Sequence, residues 1–233
     1  MNQEIPLPRI KTDHLFSVPV WRSRIPALYQ HHEVIKRDIQ DSWERGDYEC
    51  HRHGYGYQTP ATIFFQENLE RFDYFKLLKQ AFIQNVEHIV KQRGGLAASV
   101  PFRVSAVLGW ILVQTNEEWV NGTWHDHYPA TISACYYLQV PEMSVESEGA
   151  LAFQRPSPQD MFVEHVQRIK PKEGDFILFP SSLQHRPEPC PSAKGLRITL
   201  AMDAYVDWLH QRREGEGEIS DEEYRQRLAD SLS

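Results

Sequence analysis

His125-Asp126-His127, with His185 and Arg197 further along the chain, is the set of residues whose types and spacing could do chemistry. In an extended segment alternate side chains share a face, so His125 and His127 can reach one ion together, while Asp126 points away unless the strand bends. Neutral imidazole binds borderline metals near neutral pH, which makes histidine the commonest protein metal ligand. A third ligand has to come from elsewhere. His185 is the best candidate, because it follows GDFILFPSSLQ, an apolar strand ending in a turn that brings the imidazole back beside the first pair. Three imidazoles and one late arginine, all on strand-like sequence, are what a mononuclear metal site with an anionic co-substrate needs.

The spacing around the third histidine adds to this. Gly174, Pro180 and His185 fit the second cupin signature, with Ser182 where that signature has a glycine. His125-x-His127 fits the core of the first signature, whose later glutamate is replaced by Thr131. A competing cluster, CHRH at Cys50 to His53, lacks a second pair at zinc-like spacing. His31-His32 falls within a helical pattern and is expected to be solvated.

These residues need elements to position them. Leu28 to about Arg45 reads as a helix, with Val34, Ile35, Ile39 and Trp43 near helical spacing and Gly46 as the stop. From Asn68 to Arg93, Phe72, Phe75, Leu78, Phe82, Ile83, Val86, Ile89 and Val90 recur every three or four positions before Gly94-Gly95. That stripe reads as core packing. After Pro101 the segments FRVSAVLGWILVQ, TISACYYLQV, GALAF, FVEHVQRI, DFILFP and LRITLAMDAYV are short and rich in β-branched and aromatic residues. The fold class expected is mainly β with N-terminal helices, around a double-stranded β-helix of the jelly-roll or cupin-like kind, able to hold a small ligand between its sheets. Residues 1–210 are expected to form one domain, with a helical part over 28–95 and the jelly-roll core over 101–206. Residues 211–233 read as a charged tail carrying a short helix, capped by Ser220 and Glu223.

Composition bounds the function classes. The 233 residues include 41% hydrophobic and 12% aromatic positions, ample for a core. A formal net charge of -7 argues against a general nucleic-acid or anionic-membrane surface. No apolar run is long enough to span a membrane, and the N-terminal segment lacks the pattern of a signal peptide. Cys50, Cys135 and Cys190 are widely spaced and odd in number, which points to a reducing compartment and a cytoplasmic protein. A homodimer through the N-terminal helices is compatible with the pattern.

GWILVQTNEEWVNGTWHDHYPATISACYYLQVP, GALAF, IKPKEGDFILFPSSLQHRPEP and GLRITLAMD together resemble the 2-oxoglutarate- and iron(II)-dependent oxygenases of the His-x-His-Pro type, relatives of the prolyl and phytanoyl hydroxylases. LFSVPVW and GYGYQTP resemble that family's first strand and its Gly-Trp-Gln-Ser-like segment, so the resemblance spans residues 14–206 and is more specific in its second half. It implies Fe(II) as cofactor, 2-oxoglutarate and O₂ as co-substrates, and hydroxylation of a small molecule or peptide with release of succinate and CO₂. By position, His125, His127 and His185 match the family's metal ligands. Arg197 matches the arginine that pairs with the far carboxylate of 2-oxoglutarate, and Thr199 stands where many members place a hydroxyl on that carboxylate.

The chain departs from the usual facial triad of two histidines and one carboxylate. Position 127 is His, and Tyr128 separates it from Pro129. Two ligand sets stay open: three neutral histidines, or Asp126 in place of one of them. The rival functions are a metal cupin that does not use 2-oxoglutarate (a three-histidine iron dioxygenase or an isomerase), a zinc hydrolase, and a non-catalytic jelly-roll binding module.

Overall fold

Alternation along four strands decides the architecture. On β10 (Arg197–Trp208), Ile198, Leu200, Met202 and Ala204 turn into the main apolar core, while Arg197, Thr199, Ala201 and Asp203 turn to the opposite face. Its neighbours are β4 (Phe102–Gln114) and β5 (Ile132–Gln139), and beyond β5 lies β8 (Asp175–Pro180). They follow the same rule: Ile111, Val113, Ile132, Ala134, Tyr136, Phe176 and Leu178 face the main core. The computed structural model describes residues 18–45, 51–53, 56–92, 101–114, 123–145, 148–156 and 165–208. The tail with its Ser220–Glu223 pair, Cys50, and the glycine stops at Gly46 and Gly94-Gly95 lie outside these residues.

The larger sheet runs β1-β8-β5-β10-β4-β3-β2, with β1 (Trp21–Arg24), β2 (His51–His53) and β3 (Gly56–Gln58) at its flanks. The smaller runs β7-β6-β9, from Val166–Ile169, Leu151–Gln154 and His185–Pro187. Every pairing is antiparallel. The two sheets face each other across a small cluster made of Tyr137, Leu151, Phe153, Ile177, Phe179 and Leu183. This is a double-stranded β-helix, as the sequence pattern leads one to expect.

Helices cover the outer face of the larger sheet. The stripe read from the sequence lies on α4 (Asp73–Gln92), where Phe75, Leu78, Phe82 and Val86 are buried and Phe82 meets Phe176 edge-on at 6.1 Å. Each such side chain contributes about 1.5–3 kcal/mol of burial. Two helices expected as continuous are broken. The first divides into α1 (Pro26–Tyr29) and α2 (His32–Arg45), with a turn at Gln30 and His31. The second divides into α3 (Gln66–Arg71) and α4 at Phe72, which adopts an extended backbone and packs its ring on Tyr74 and Phe75.

The turn before α2 also corrects the expectation for His32. It is buried rather than solvated, its Nε2 lying 2.5 Å from the Tyr136 hydroxyl and its Nδ1 3.3 Å from Glu173. The contact ties α2 to the middle of β5. Gly174, the first residue of the Gly–Pro–His spacing, starts β8 at φ +79°, and a Cβ there would sit 2.6 Å from the Tyr29 ring. No helix among the described residues is long and apolar enough to cross a membrane.

Candidate metal centre

His125 and His185 are brought together by main-chain bonds. The N–H of each donates to the carbonyl of the other, at 3.2 and 2.9 Å, so β9 starts as a bridge across to the His125 segment. His127 is fixed to the same strand system by its N–H to the Ser181 carbonyl at 2.9 Å. The three rings converge, with centroids 4.4–5.3 Å apart, and their ligand atoms all lie within 4.8 Å of one another.

Each ring is held by its other nitrogen. His125 Nδ1 lies 3.0 Å from the Thr123 carbonyl, and His185 Nδ1 3.0 Å from the Leu183 carbonyl. His127 Nδ1 lies 2.9 Å from both carboxylate oxygens of Asp203. Each of these acceptors takes an Nδ1–H, which leaves the Nε2 lone pair of all three rings facing inward. Asp126 is not part of the cluster: its carboxylate accepts from Gln184 Nε2 at 2.5 Å and from the Tyr128 N–H at 3.3 Å.

Electrostatics favours the neutral, ligating form. Burial pushes the pKa of His185 well below its ordinary value, and the neighbouring His125 and His127 add to the shift. Burial likewise lowers that of His125. The unfolded chain therefore takes up a proton at His185 before the folded chain does. Stability from this group is present above the ordinary histidine value of 6.5 and is lost as the pH falls below it. Thermal melts of the metal-free protein between about pH 7.5 and about pH 5 should show this loss, and His185→Ala should flatten it.

Behind the histidines lies a cavity of about 330 Å³ between the sheets. Arg197 and Thr199 line it from β10, and Trp110 from β4 stacks on His127 at 5.3 Å. Arg197 is 2% exposed, with its guanidinium carbon 5.3 Å from the Tyr137 ring centre. Its Nε and Nη1 and the Thr199 hydroxyl have no hydrogen-bond partner among the described residues. A buried guanidinium with two of its nitrogens unsatisfied is costly, so this end of the cavity is shaped for an anion. Burial keeps the surrounding groups protonated: the Tyr137 phenol is pushed up, and the Cys135 thiol is pushed up to about 12.

The donor set fits a divalent iron, which imidazole suits, and the cationic end fits a dicarboxylic oxo acid chelating that iron. The sequence reading of the site lacks Asp203 and Tyr137, and leaves out Trp110 as an aromatic residue that flanks the metal strand but suits the core as well. A signal existed for each. Asp203 follows Arg197 and Thr199 at even spacing on one strand face, Tyr137 shares a face with Ser133 and Cys135, and Trp110 shares one with Leu112 and Gln114.

Comparison with known proteins agrees with the geometry. Residues 109–203 match the family model described as 2OG-Fe(II) oxygenase, a stretch that holds all three histidines, Arg197, Thr199 and Asp203. No curated protein sequence matches the chain. Among solved structures, the chain is similar to a prolyl hydroxylase from Trichoplax adhaerens, in complex with a hypoxia-inducible-factor peptide fragment, with TM-score 0.56 and 12% identity over 80% of this chain and 83% of that one. It is similar to a Pseudomonas putida prolyl-4-hydroxylase with TM-score 0.53 and 14% identity, over 81% and 94% of the two chains. It is also similar to SnoK, an α-ketoglutarate-dependent carbocyclase from nogalamycin biosynthesis, with TM-score 0.54 and 13% identity over 86% and 90%. At these identities the likeness to the solved structures is one of fold. The match over residues 109–203, carried on that fold, supports a non-haem 2-oxoglutarate- and iron(II)-dependent oxygenase.

Proposed function

We propose that His125, His127 and His185 hold the Fe(II), and that Arg197 with Thr199 anchors the far carboxylate of 2-oxoglutarate. The observation that carries this reading is the buried guanidinium of Arg197, whose Nε and Nη1 have no partner among the described residues, in the same cavity as three convergent imidazoles. A metal cupin or zinc hydrolase without an oxo acid has no use for such a group. Asp126 is left as a surface acceptor for Gln184.

When bound, iron(II) and 2-oxoglutarate supply an O₂-dependent oxidative decarboxylation that turns a substrate C–H into C–OH, with succinate and CO₂ as co-products. The chain's own residues position and shield that chemistry. Arg197 offers a planar pair of donors that fixes the carboxylate by charge and direction, and the Thr199 hydroxyl adds one donor from the same strand face. Tyr137, kept as a phenol, holds a fourth donor beside the guanidinium. Phe179 packs against His185 at 4.6 Å and Trp110 against His127, so apolar rings cover two of the three ligands and limit access by water.

The test is an anaerobic titration with iron(II) and then 2-oxoglutarate, monitored for the weak visible charge-transfer band of an iron-chelated oxo acid. The band is expected with the wild-type protein and not with His125→Ala. Iron bound without a band would sink the oxo-acid role of Arg197, and no iron bound would sink the metal site.

A further inference from the structure

Three imidazoles bring no negative charge to a divalent ion, whereas the usual two-histidine, one-carboxylate set lowers its charge by one. In this chain a carboxylate lies one hydrogen bond behind the ligand that replaces the carboxylate. Both oxygens of Asp203 are 2.9 Å from His127 Nδ1, and Asp203 is 6% exposed. The other two histidines lean on neutral main-chain carbonyls, those of Thr123 and Leu183. The asymmetry falls at the one position where the ligand type departs from the usual set.

Asp203 is itself in need of a cation. Among the described residues its remaining hydrogen-bond partner is the Ser133 hydroxyl, 2.6 Å from Oδ1, and Ser133 in turn can accept from the buried Ser181 hydroxyl at 2.9 Å. Hydroxyls and a neutral imidazole do not offset the several kcal/mol that a buried carboxylate costs. A cation on the far side of the His127 ring does, because the ring conducts the polarisation from Nδ1–H to Nε2.

We infer that Asp203 is a positioning residue that supplies, through His127, the negative charge that the ligand set lacks. The inference rests on the three-histidine metal site proposed above. Asp203 holds His127 in the Nδ1–H tautomer, aims its Nε2, and raises its donor strength.

The experiment titrates Co(II) into the metal-free, full-length protein and reads its affinity from the visible spectrum of the bound ion. Asp203→Asn keeps the shape and one acceptor but removes the charge, and it should weaken Co(II) binding about 10–100-fold, the usual cost of losing an outer carboxylate partner. Thermal melts of the metal-free proteins should place Asp203→Asn at or above wild type, because the exchange removes a buried charge that no cation offsets. In a His127→Asp background the sign should reverse. There a carboxylate ligand would face the Asp203 carboxylate, and Asp203→Asn should strengthen Co(II) binding by relieving the repulsion. Unaltered affinity in the wild-type background, or an equal loss in both backgrounds, overturns the charge role. His185→Ala, run alongside, separates the two readings: if it still binds Co(II) like wild type, the metal site itself is wrong.

Discussion

His185→Ala leaves a protein that folds without metal but no longer retains Fe(II) or turns over 2-oxoglutarate. His185 is 4% exposed, sits on β9, and is the proposed ligand that joins the smaller sheet to the His125 segment. Loss of an outer partner alone costs about 10–100-fold in metal affinity, so loss of an inner ligand from a set of three should exceed that. The backbone bridge between His125 and His185 is made by main-chain groups and survives the substitution. The cavity left between Phe153 and Phe179 lowers the melting temperature by a few degrees, as a large-to-small change in the interior does. A histidine that were only packing there would give the same lower melt with metal affinity intact. Isothermal titration with Fe(II) under anaerobic conditions, paired with melts of the metal-free protein, tells the two apart.

The site was readable in the sequence to the extent that strand alternation made it so. His125 and His127 share a face because their segment is extended, and His185 returns because DFILFP is a buried strand with a turn after it. The roles of Arg197 and Thr199 came from the family resemblance, with alternation setting both on one face, and that alternation carried two and four residues beyond Thr199 reaches Ala201 and Asp203. The six strand segments read after Pro101 correspond to β4, β5, β6, β7, β8 and β10. What periodicity could not show were contacts between residues far apart in the chain. Helix α2 starts after a turn that lets His32 reach Tyr136, more than a hundred residues away, and nothing in the local pattern of α2 encodes that partner. The flanking strands β1, β2, β3 and β9 are three or four residues long, too short for a period-2 signal, and exist because β8, β4 and β6 offer them open edges.

Arg197→Met separates the two halves of the cofactor site. The substitution keeps an unbranched stem beside Tyr137 and removes the guanidinium, while the three histidines, which make no contact with that group through their hydrogen bonds, keep their geometry. Fe(II) affinity should therefore stay within a few-fold of wild type. Binding of 2-oxoglutarate should weaken by about 30-fold to a few thousandfold, the range that corresponds to about 2–5 kcal/mol for removing one partner of a buried ion pair. The free protein should respond in the opposite sense. With Nε and Nη1 unpartnered, the buried cation of the wild type is a cost to the ligand-free fold, and methionine of similar length removes it. The melting temperature of ligand-free Arg197→Met should equal or exceed that of wild type, and the further rise that saturating 2-oxoglutarate gives the iron-loaded wild type should be largely lost. A variant that melts well below wild type and loses iron and oxo acid alike would show Arg197 to be a structural cation, and the anion-binding role would fall with it.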